Sequence, residues 1–140
     1  RGPVLGLKPN LEGDVTADDS ARHWELSQGT PDVATPLIYD GHVYLAGERG
    51  VLTCLDVKSG DVKYRERLMS DRHRSTPVAA NGNIYITGRK GTVFVIKAGP
   101  KLEVVSENNF KEETTSSPAI SNGRVFIRTY QALYAFGKKD

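Results

Sequence analysis

The segment STPVAANGNIYITGRKG, Ser75–Gly91, occurs in three related copies along this chain. The earlier copy is Ala34–Gly50, ATPLIYDGHVYLAGERG, and the later copy is Ser116–Ala132, SSPAISNGRVFIRTYQA. Each copy lies 41 residues from the next, which aligns prolines, glycines and aromatic residues: Pro36, Pro77 and Pro118; Gly41, Gly82 and Gly123; Tyr44, Tyr85 and Phe126. A period of about 40 residues with strand-like content predicts the blades of a β-propeller.

Every copy carries an Asp-Gly or Asn-Gly pair between two apolar runs, which is the strongest short-range signal for a β-hairpin. These pairs are Asp40-Gly41, Asn81-Gly82 and Asn122-Gly123. We predict strands at 4–7, 23–26, 34–39, 42–46, 51–56, 62–67, 77–80, 83–87, 92–97, 102–106, 118–121, 124–128 and 132–136. The content of β-branched and aromatic residues suits buried strands, and no stretch has an amphipathic helical pattern. The predicted class is all-β, with four antiparallel strands per blade.

The strand count predicts about three blades in one segment, 1–140. A partial blade occupies residues 1–33, complete blades occupy 34–74 and 75–115, and an incomplete blade occupies 116–140. The last blade lacks an outer strand. The segment around Trp24 resembles the outer strand of a blade whose first two strands are missing. Propellers need about four blades or more. We therefore expect either a piece of a longer propeller or self-association of two chains into one ring.

The composition is that of an ordinary soluble domain, with 140 residues, 38% hydrophobic and 26% charged residues. No apolar run approaches the roughly 18 residues of a membrane span. The net charge of +2 is mild, and a nucleic-acid-binding protein normally shows a stronger basic surface. A single Cys54 excludes an internal disulfide. No signal peptide is visible, and the opening Arg1 is compatible with a removed leader or a longer parent chain.

The first complete repeat resembles the pyrroloquinoline-quinone-type (PQQ-like) propeller repeat. The resemblance rests on Thr35-Pro36-Leu37, on Gly41 before Val43-Tyr44, and on GVLTCLDVKSG at 50–60. That repeat has a Ser/Thr-Pro first strand and a Leu-Asp-x-x-Thr/Ser-Gly turn before an outer-strand Trp. In the first complete repeat Tyr64 stands at the position of this Trp, and only the N-terminal partial blade has the tryptophan, at Trp24. In the second repeat, Ile96-Lys97-Ala98-Gly99 replaces the Leu-Asp-x-x-Thr/Ser-Gly turn.

The resemblance implies a bacterial, extracytoplasmic protein that binds a protein or small ligand at the ring face, or serves as a scaffold. The outer-membrane assembly lipoprotein belongs to the same repeat class. An alternative is a fragment of a PQQ-dependent quinoprotein dehydrogenase, whose site uses a Trp floor, often a pair of adjacent Cys residues, and calcium ligands. This chain has one Trp and one Cys. We therefore assign no cofactor, catalytic residue or metal ligand.

Several residue types that often carry chemistry are better explained by structure. The histidines His23, His42 and His73 have no metal-ligand spacing and are interpreted as surface or hairpin residues. Cys54 aligns with Val95 and Ala135, which predicts a small buried side chain. The acidic group Asp14, Asp18 and Asp19 is interpreted as a solvated loop, since its spacing does not fit a calcium loop.

The serines Ser75, Ser116 and Ser117 precede the repeat prolines in register, which favours a structural role over that of a nucleophile. Stacking of a carbohydrate on Tyr39, Tyr64 or Tyr130 is not favoured over core packing. A group of basic side chains has two interpretations, a solvated edge protected by charge or a binding patch for an acidic partner. This basic group consists of Arg65, Arg67, Arg72, Arg74, Arg89 and Lys90.

Overall fold

A computed structural model of the chain describes residues 2–137. The strands of this part are β1 Val4–Leu7, β2 Arg22–Leu26, β3 Leu37–Tyr39, β4 His42–Ala46, β5 Val51–Asp56, β6 Val62–Arg67, β7 Val78–Ala80, β8 Asn83–Thr87, β9 Thr92–Lys97, β10 Val104–Asn109, β11 Ala119–Ser121, β12 Arg124–Arg128 and β13 Leu133–Phe136. The described helical structure is one 3₁₀ turn, Asp19–Ala21. The all-β prediction is confirmed.

The strands form antiparallel sheets in sequence order, as expected for propeller blades. Blade 1 is β3–β4–β5–β6, blade 2 is β7–β8–β9–β10, and blade 3 is β11–β12–β13. Each β-hairpin between the first two strands turns through an Asp or Asn with positive φ, at Asp40 (48°), Asn81 (49°) and Asn122 (48°). The following glycine also has positive φ in each blade, so the paired left-handed conformations of a type I′ turn are present.

The N-terminal sheet consists of β1 and β2, which pair with Gly6 opposite Trp24. A side chain at Gly6 would overlap the Trp24 ring, so the glycine makes space for the indole. The indole Nε1 donates to the carbonyl of Val57 in blade 1 at 2.9 Å, and the ring lies against Gly60. Trp24 thereby fastens the N-terminal sheet to blade 1.

Two hydrophobic clusters lie on opposite faces of blade 1. Val43, Leu45 and Leu55 are almost completely buried against the N-terminal sheet. The other face contributes Tyr44, Leu52, Cys54 and Tyr64 to a larger core shared with blade 2, whose members there are Ile84, Ile86, Phe94 and Ile96. A blade has apolar residues on both faces, so each sheet needs a neighbour on either side to bury them.

Several predicted strand boundaries differ from the structure. The first strand of blade 1 begins at Leu37 instead of residue 34, and four other strands begin one residue earlier or later than predicted. The outer strand of blade 2 runs over Val104–Asn109, not 102–106, because residues 98–103 form the turn before it. In that turn Lys97 N donates to Glu103 O and Ala98 N donates to Gly82 O. The acidic group Asp14, Asp18 and Asp19, expected to lie in a solvated loop, includes the start of the 3₁₀ turn, which Asp18 caps by accepting a hydrogen bond from Ser20 N.

Candidate partner-binding site

Two crossing loops, residues 68–77 and 110–118, connect the outer strand of one blade to the first strand of the next. Each loop lies beside the turns between the second and third strands, which are residues 47–50 and 88–91. His73 N donates to Glu48 O at 2.9 Å, and 41 residues later Thr114 N donates to Arg89 O at 2.9 Å. Loops and turns thus form one hydrogen-bonded belt at this end of the blades, which we call the loop face.

Two glycines allow the loop face to pack closely. Gly50 and Gly91 have φ of 77° and 87°, which glycine adopts readily. A Cβ at Gly50 would overlap the carbonyl oxygen of Met69, and a Cβ at Gly91 would overlap that of Glu112. The close approach is the reason these two positions of the repeat contain glycine.

The serines before the repeat prolines make the same bond in both crossing loops. Ser75 Oγ donates to Thr87 O at 2.7 Å, and Ser116 Oγ donates to Arg128 O at 2.5 Å. Ser117 Oγ instead accepts a hydrogen bond from Thr76 N at 2.8 Å. The Ser75 and Ser116 hydroxyl groups join crossing loops to strands, whereas that of Ser117 joins the two crossing loops, and this placement supports a structural role.

His73 is not a surface histidine, as the spacing had suggested, because the crossing loop carries its ring into the interior. The residue is 2% exposed, and its Nε2 lies 3.3 Å from Ser75 Oγ. Burial lowers the pKa of His73 to about 4, against weaker raising effects from the Ala46 backbone and the Asp71 charge. The ring is therefore neutral at pH 7, and it aligns with Thr114, which is also buried.

The basic group divides between two places. Arg65 and Arg67 lie on the exposed outer strand β6, where the Arg67 guanidinium donates to Arg49 O at 2.7 Å. Arg72 and Arg74 lie in the first crossing loop, and both are exposed. Arg89 and Lys90 lie in the turn of blade 2, which hydrogen bonds to that loop through Arg89 N and Arg72 O.

Two acidic residues of the loop face, Asp71 and Glu48, are directed toward the protein, whereas Glu113 is exposed and lies 4.0 Å from the Arg89 guanidinium. Arginines and lysines still outnumber carboxylates on the loop face. The Asp71 carboxylate accepts hydrogen bonds from the backbone N–H groups of Arg72 and Lys90. Glu48, whose side chain is 16% exposed, lies 4.0 Å from the Arg74 guanidinium. Sequence reasoning omitted Arg49 from the basic group, although Arg49 occupies the turn position that Lys90 has in the next repeat.

The remaining candidates lie apart from the loop face. Cys54 is fully buried, its Sγ donates to Gly99 O at 3.6 Å, and burial raises the pKa of the thiol to about 11. Asp14 and Asp18 each accept a hydrogen bond from a backbone N–H two residues on. Throughout residues 2–137, no three His, Cys, Asp or Glu side chains are arranged to hold a metal ion.

A family model described as outer membrane protein assembly factor BamB matches residues 13–139. The chain belongs to this family. No curated protein sequence gives a match. The BamB family assignment agrees with the PQQ-like repeat that the first complete blade resembles.

Solved structures share the fold of this BamB-family chain at low identity. BamB from Moraxella catarrhalis is 18% identical with a TM-score of 0.70, over 83% of this chain and 36% of that chain. Quinohemoprotein alcohol dehydrogenase ADHIIG from Pseudomonas putida HK5 is 23% identical with a TM-score of 0.58, over 68% and 16%. The computationally designed Ika4 protein is 11% identical with a TM-score of 0.66, over 83% and 72%. The chain therefore spans about a third or less of the two natural proteins.

The residues of this chain do not fit the quinone site that some of these neighbours suggest. The only tryptophan, Trp24, is held between the N-terminal sheet and blade 1 by its bond to Val57. The only cysteine, Cys54, is buried between blades 1 and 2. Both side chains that such a site would use therefore take part in blade packing. Among residues 2–137, no helix has the length and apolar character to cross a membrane.

Proposed function

We propose that this chain is a non-catalytic β-propeller segment that binds an acidic stretch of a partner protein at its loop face. The observation that supports it most is the orientation of charge on a rigid surface. Arg49, Arg72, Arg74 and Lys90 are exposed, while Asp71 is occupied by backbone N–H groups. Rigid scaffolds commonly present binding residues on such loops.

The family description supports an extracytoplasmic setting for this proposal, since it names an outer membrane assembly factor. The hydrogen bonds within the belt favour binding, because loops that are already ordered lose little conformational entropy when a partner docks. Exposed ion pairs contribute about 0.2–1 kcal/mol each, so several cations are needed for measurable affinity. The loop face offers Arg49, Arg72 and Lys90 within two adjacent blades, together with Arg74, which lies 4.0 Å from the Glu48 carboxylate.

A fluorescently labelled decaglutamate peptide tests the proposal in low salt. We expect saturable binding, weakened about tenfold by the double substitution Arg72→Glu and Lys90→Glu, since two attractions become repulsions. The matched control is Lys97→Glu with Lys101→Glu, which changes net charge equally but lies outside the loop face, at the end of β9 and in the turn after it. Equal weakening by both pairs would show that net charge alone is responsible.

A second part of the proposal is that two chains complete the ring. Thr35 N donates to Thr76 Oγ1 at 3.1 Å, and Thr76 N donates to Ser117 Oγ at 2.8 Å. Within residues 2–137, this ladder ends with the Thr35 hydroxyl as an unused acceptor and the Ser117 N–H as an unused donor. A second copy would extend the ladder, and would cover Ile38 and Leu133, which are 66% and 69% exposed.

The mass in solution tests ring completion, with twice the chain mass of 15.3 kDa expected at micromolar concentration. Thr35→Val should shift the equilibrium toward the monomer without lowering the melting temperature of the monomer. Thr76→Val breaks the ladder within the chain, so it should lower that temperature. A wild-type chain that stays monomeric and soluble at high micromolar concentration would contradict this part of the proposal.

The alternative, a fragment of a quinoprotein dehydrogenase, has the shared fold in its favour. The packing of Trp24 and Cys54 gives it no support. Its test is the addition of pyrroloquinoline quinone with calcium, followed by measurement of binding and of dye-linked alcohol oxidation. Saturable quinone binding with alcohol oxidation would replace the partner-binding proposal.

A further inference from the structure

A cavity of about 370 Å³ lies between blades 2 and 3. One wall is the face of blade 2 that carries Val93 and Val95, and the facing wall carries Val125 and Ile127 of blade 3. Asn108 and the ring of Phe136 also line it. The cavity opens to solvent beside Phe136, which is 44% exposed, and facing sheets normally pack closely, so an unfilled space of this size between two blades needs an explanation.

The sheet register supplies the explanation. In the N-terminal sheet and in blades 1 and 2, one residue of the last strand lies directly opposite a residue of its neighbour strand, and the two positions share the face toward the next blade. The pairs are Gly6 with Trp24, Cys54 with Tyr64, and Val95 with Ser106. The outer-strand residue thus changes from Trp to Tyr to Ser along the chain, while its neighbour grows only from Gly to Cys to Val.

Aromatic rings occupy the first two of these positions. Trp24 packs with Val43, Leu45 and Leu55 of blade 1, and Tyr64, 7% exposed, belongs to the core between blades 1 and 2. The third position has the Ser106 hydroxymethyl group, and the single additional heavy atom of Val95 relative to Cys54 does not replace a ring. The cavity adjoins the position that an aromatic side chain occupies at the preceding interfaces, because Val95, opposite Ser106, and Asn108, which donates to Ser106, both line it.

We propose that this cavity binds a small planar aromatic molecule of the indole class. The volume is within the range of small-ligand sites, about 300–1,000 Å³. Aromatic rings stand at its rim, with the centroids of Phe110 and Phe136 5.2 Å apart at an interplanar angle of 49°. Rings at such separations favour offset or edge-to-face contacts, which an added planar ring would extend.

Asn108 provides the polar group that orients the ligand. Its Nδ2 donates to Ser106 Oγ at 3.3 Å, and its Oδ1 accepts no hydrogen bond from the described part of the chain. An acceptor beside an apolar cavity suits a ligand with a single N–H group. The same pairing occurs at the first interface, where the indole of Trp24 donates to Val57 O. The site is separate from the loop face and does not depend on the proposed partner binding.

Indole itself is the probe, and isothermal titration calorimetry of the full chain is the measurement. We expect saturable binding with a dissociation constant on the order of 0.1–1 mM, as ligand efficiency allows for nine heavy atoms. Ser106→Trp adds a ring opposite Val95, at the edge of the cavity, so we expect it to occupy the cavity, weaken binding at least tenfold and raise the melting temperature. The control Val105→Trp places the same ring at a neighbouring residue that is 55% exposed, and should leave indole binding unchanged.

A second cavity-filling variant and a second ligand extend the test. If Ser106→Trp does not fold, Val95→Phe fills the cavity from the opposite strand and should weaken binding similarly. 1-Methylindole keeps the ring but lacks the N–H donor, and should bind several-fold more weakly than indole. Absence of saturable binding by the wild-type chain, or equal binding by the wild type and a folded cavity-filling variant, would overturn the proposal. Equal affinity for both indoles would overturn the role of Asn108.

Discussion

Replacing Gly50 with alanine should lower the free energy of unfolding by about 3 kcal/mol. Gly50 has a φ of 77°, and a residue with a Cβ loses about 1–2 kcal/mol in this left-handed conformation. The new Cβ would also overlap the Met69 carbonyl oxygen. The crossing loop must then move away, although Leu68 N and Met69 N donate to Gly50 O at 2.9 and 3.2 Å. Weakening two such bonds costs about 1 kcal/mol each.

Gly41→Ala is the matched control, because Gly41 has a φ of 73° but no atom within 4 Å of the added Cβ. This variant should therefore lose only the stability that the left-handed conformation costs a residue with a Cβ, about 1–2 kcal/mol. Urea denaturation, followed by far-ultraviolet circular dichroism, measures the free energy of unfolding of both variants. We expect both to show the same dependence of that free energy on urea concentration. Gly91→Ala, which repeats the geometry of Gly50 beside Glu112, should match Gly50→Ala. Equal destabilisation by Gly50→Ala and Gly41→Ala would refute the close-packing argument for the loop face.

Further predictions concern three buried contacts. The folded-state pKa of His73 is about 4 against 6.5 for the free group, so the unfolded chain binds the extra proton. The free energy of unfolding should therefore fall by about 3 kcal/mol as pH decreases from 6.5 to 4. Urea denaturation midpoints measured across this pH range should show the decrease in the wild type and not in His73→Thr. Tyr44→Phe removes the hydroxyl that accepts from Gly99 N at 2.8 Å, and should cost about 1 kcal/mol by thermal melting, whereas Tyr85→Phe should cost less because its hydroxyl joins no described hydrogen bond. Trp24→Phe should cost about 1–2 kcal/mol through the lost indole hydrogen bond and smaller ring, and a denaturation midpoint equal to wild type would show that the tryptophan does not fasten the first sheet.

The sequence by itself determined the blade. The Asp-Gly and Asn-Gly pairs require left-handed backbone at adjacent residues, and the apolar alternation around them selects antiparallel strands. The fixed step of 41 residues then determined which positions correspond, including Gly50 with Gly91. These are local properties, or repetitions of local properties, so they can be recognised from the sequence without a structure.

Only the tertiary structure decided which side chains meet between blades. His73 has no local feature that predicts burial, because its environment comes from residues of two neighbouring blades. The directions of Asp71 and Glu48 likewise depend on how a crossing loop passes between two turns. The cavity beside Ser106 exists because two sheets face each other across a position where the first two interfaces hold a ring. Contacts between units are set by packing, and a repeat pattern describes only the unit.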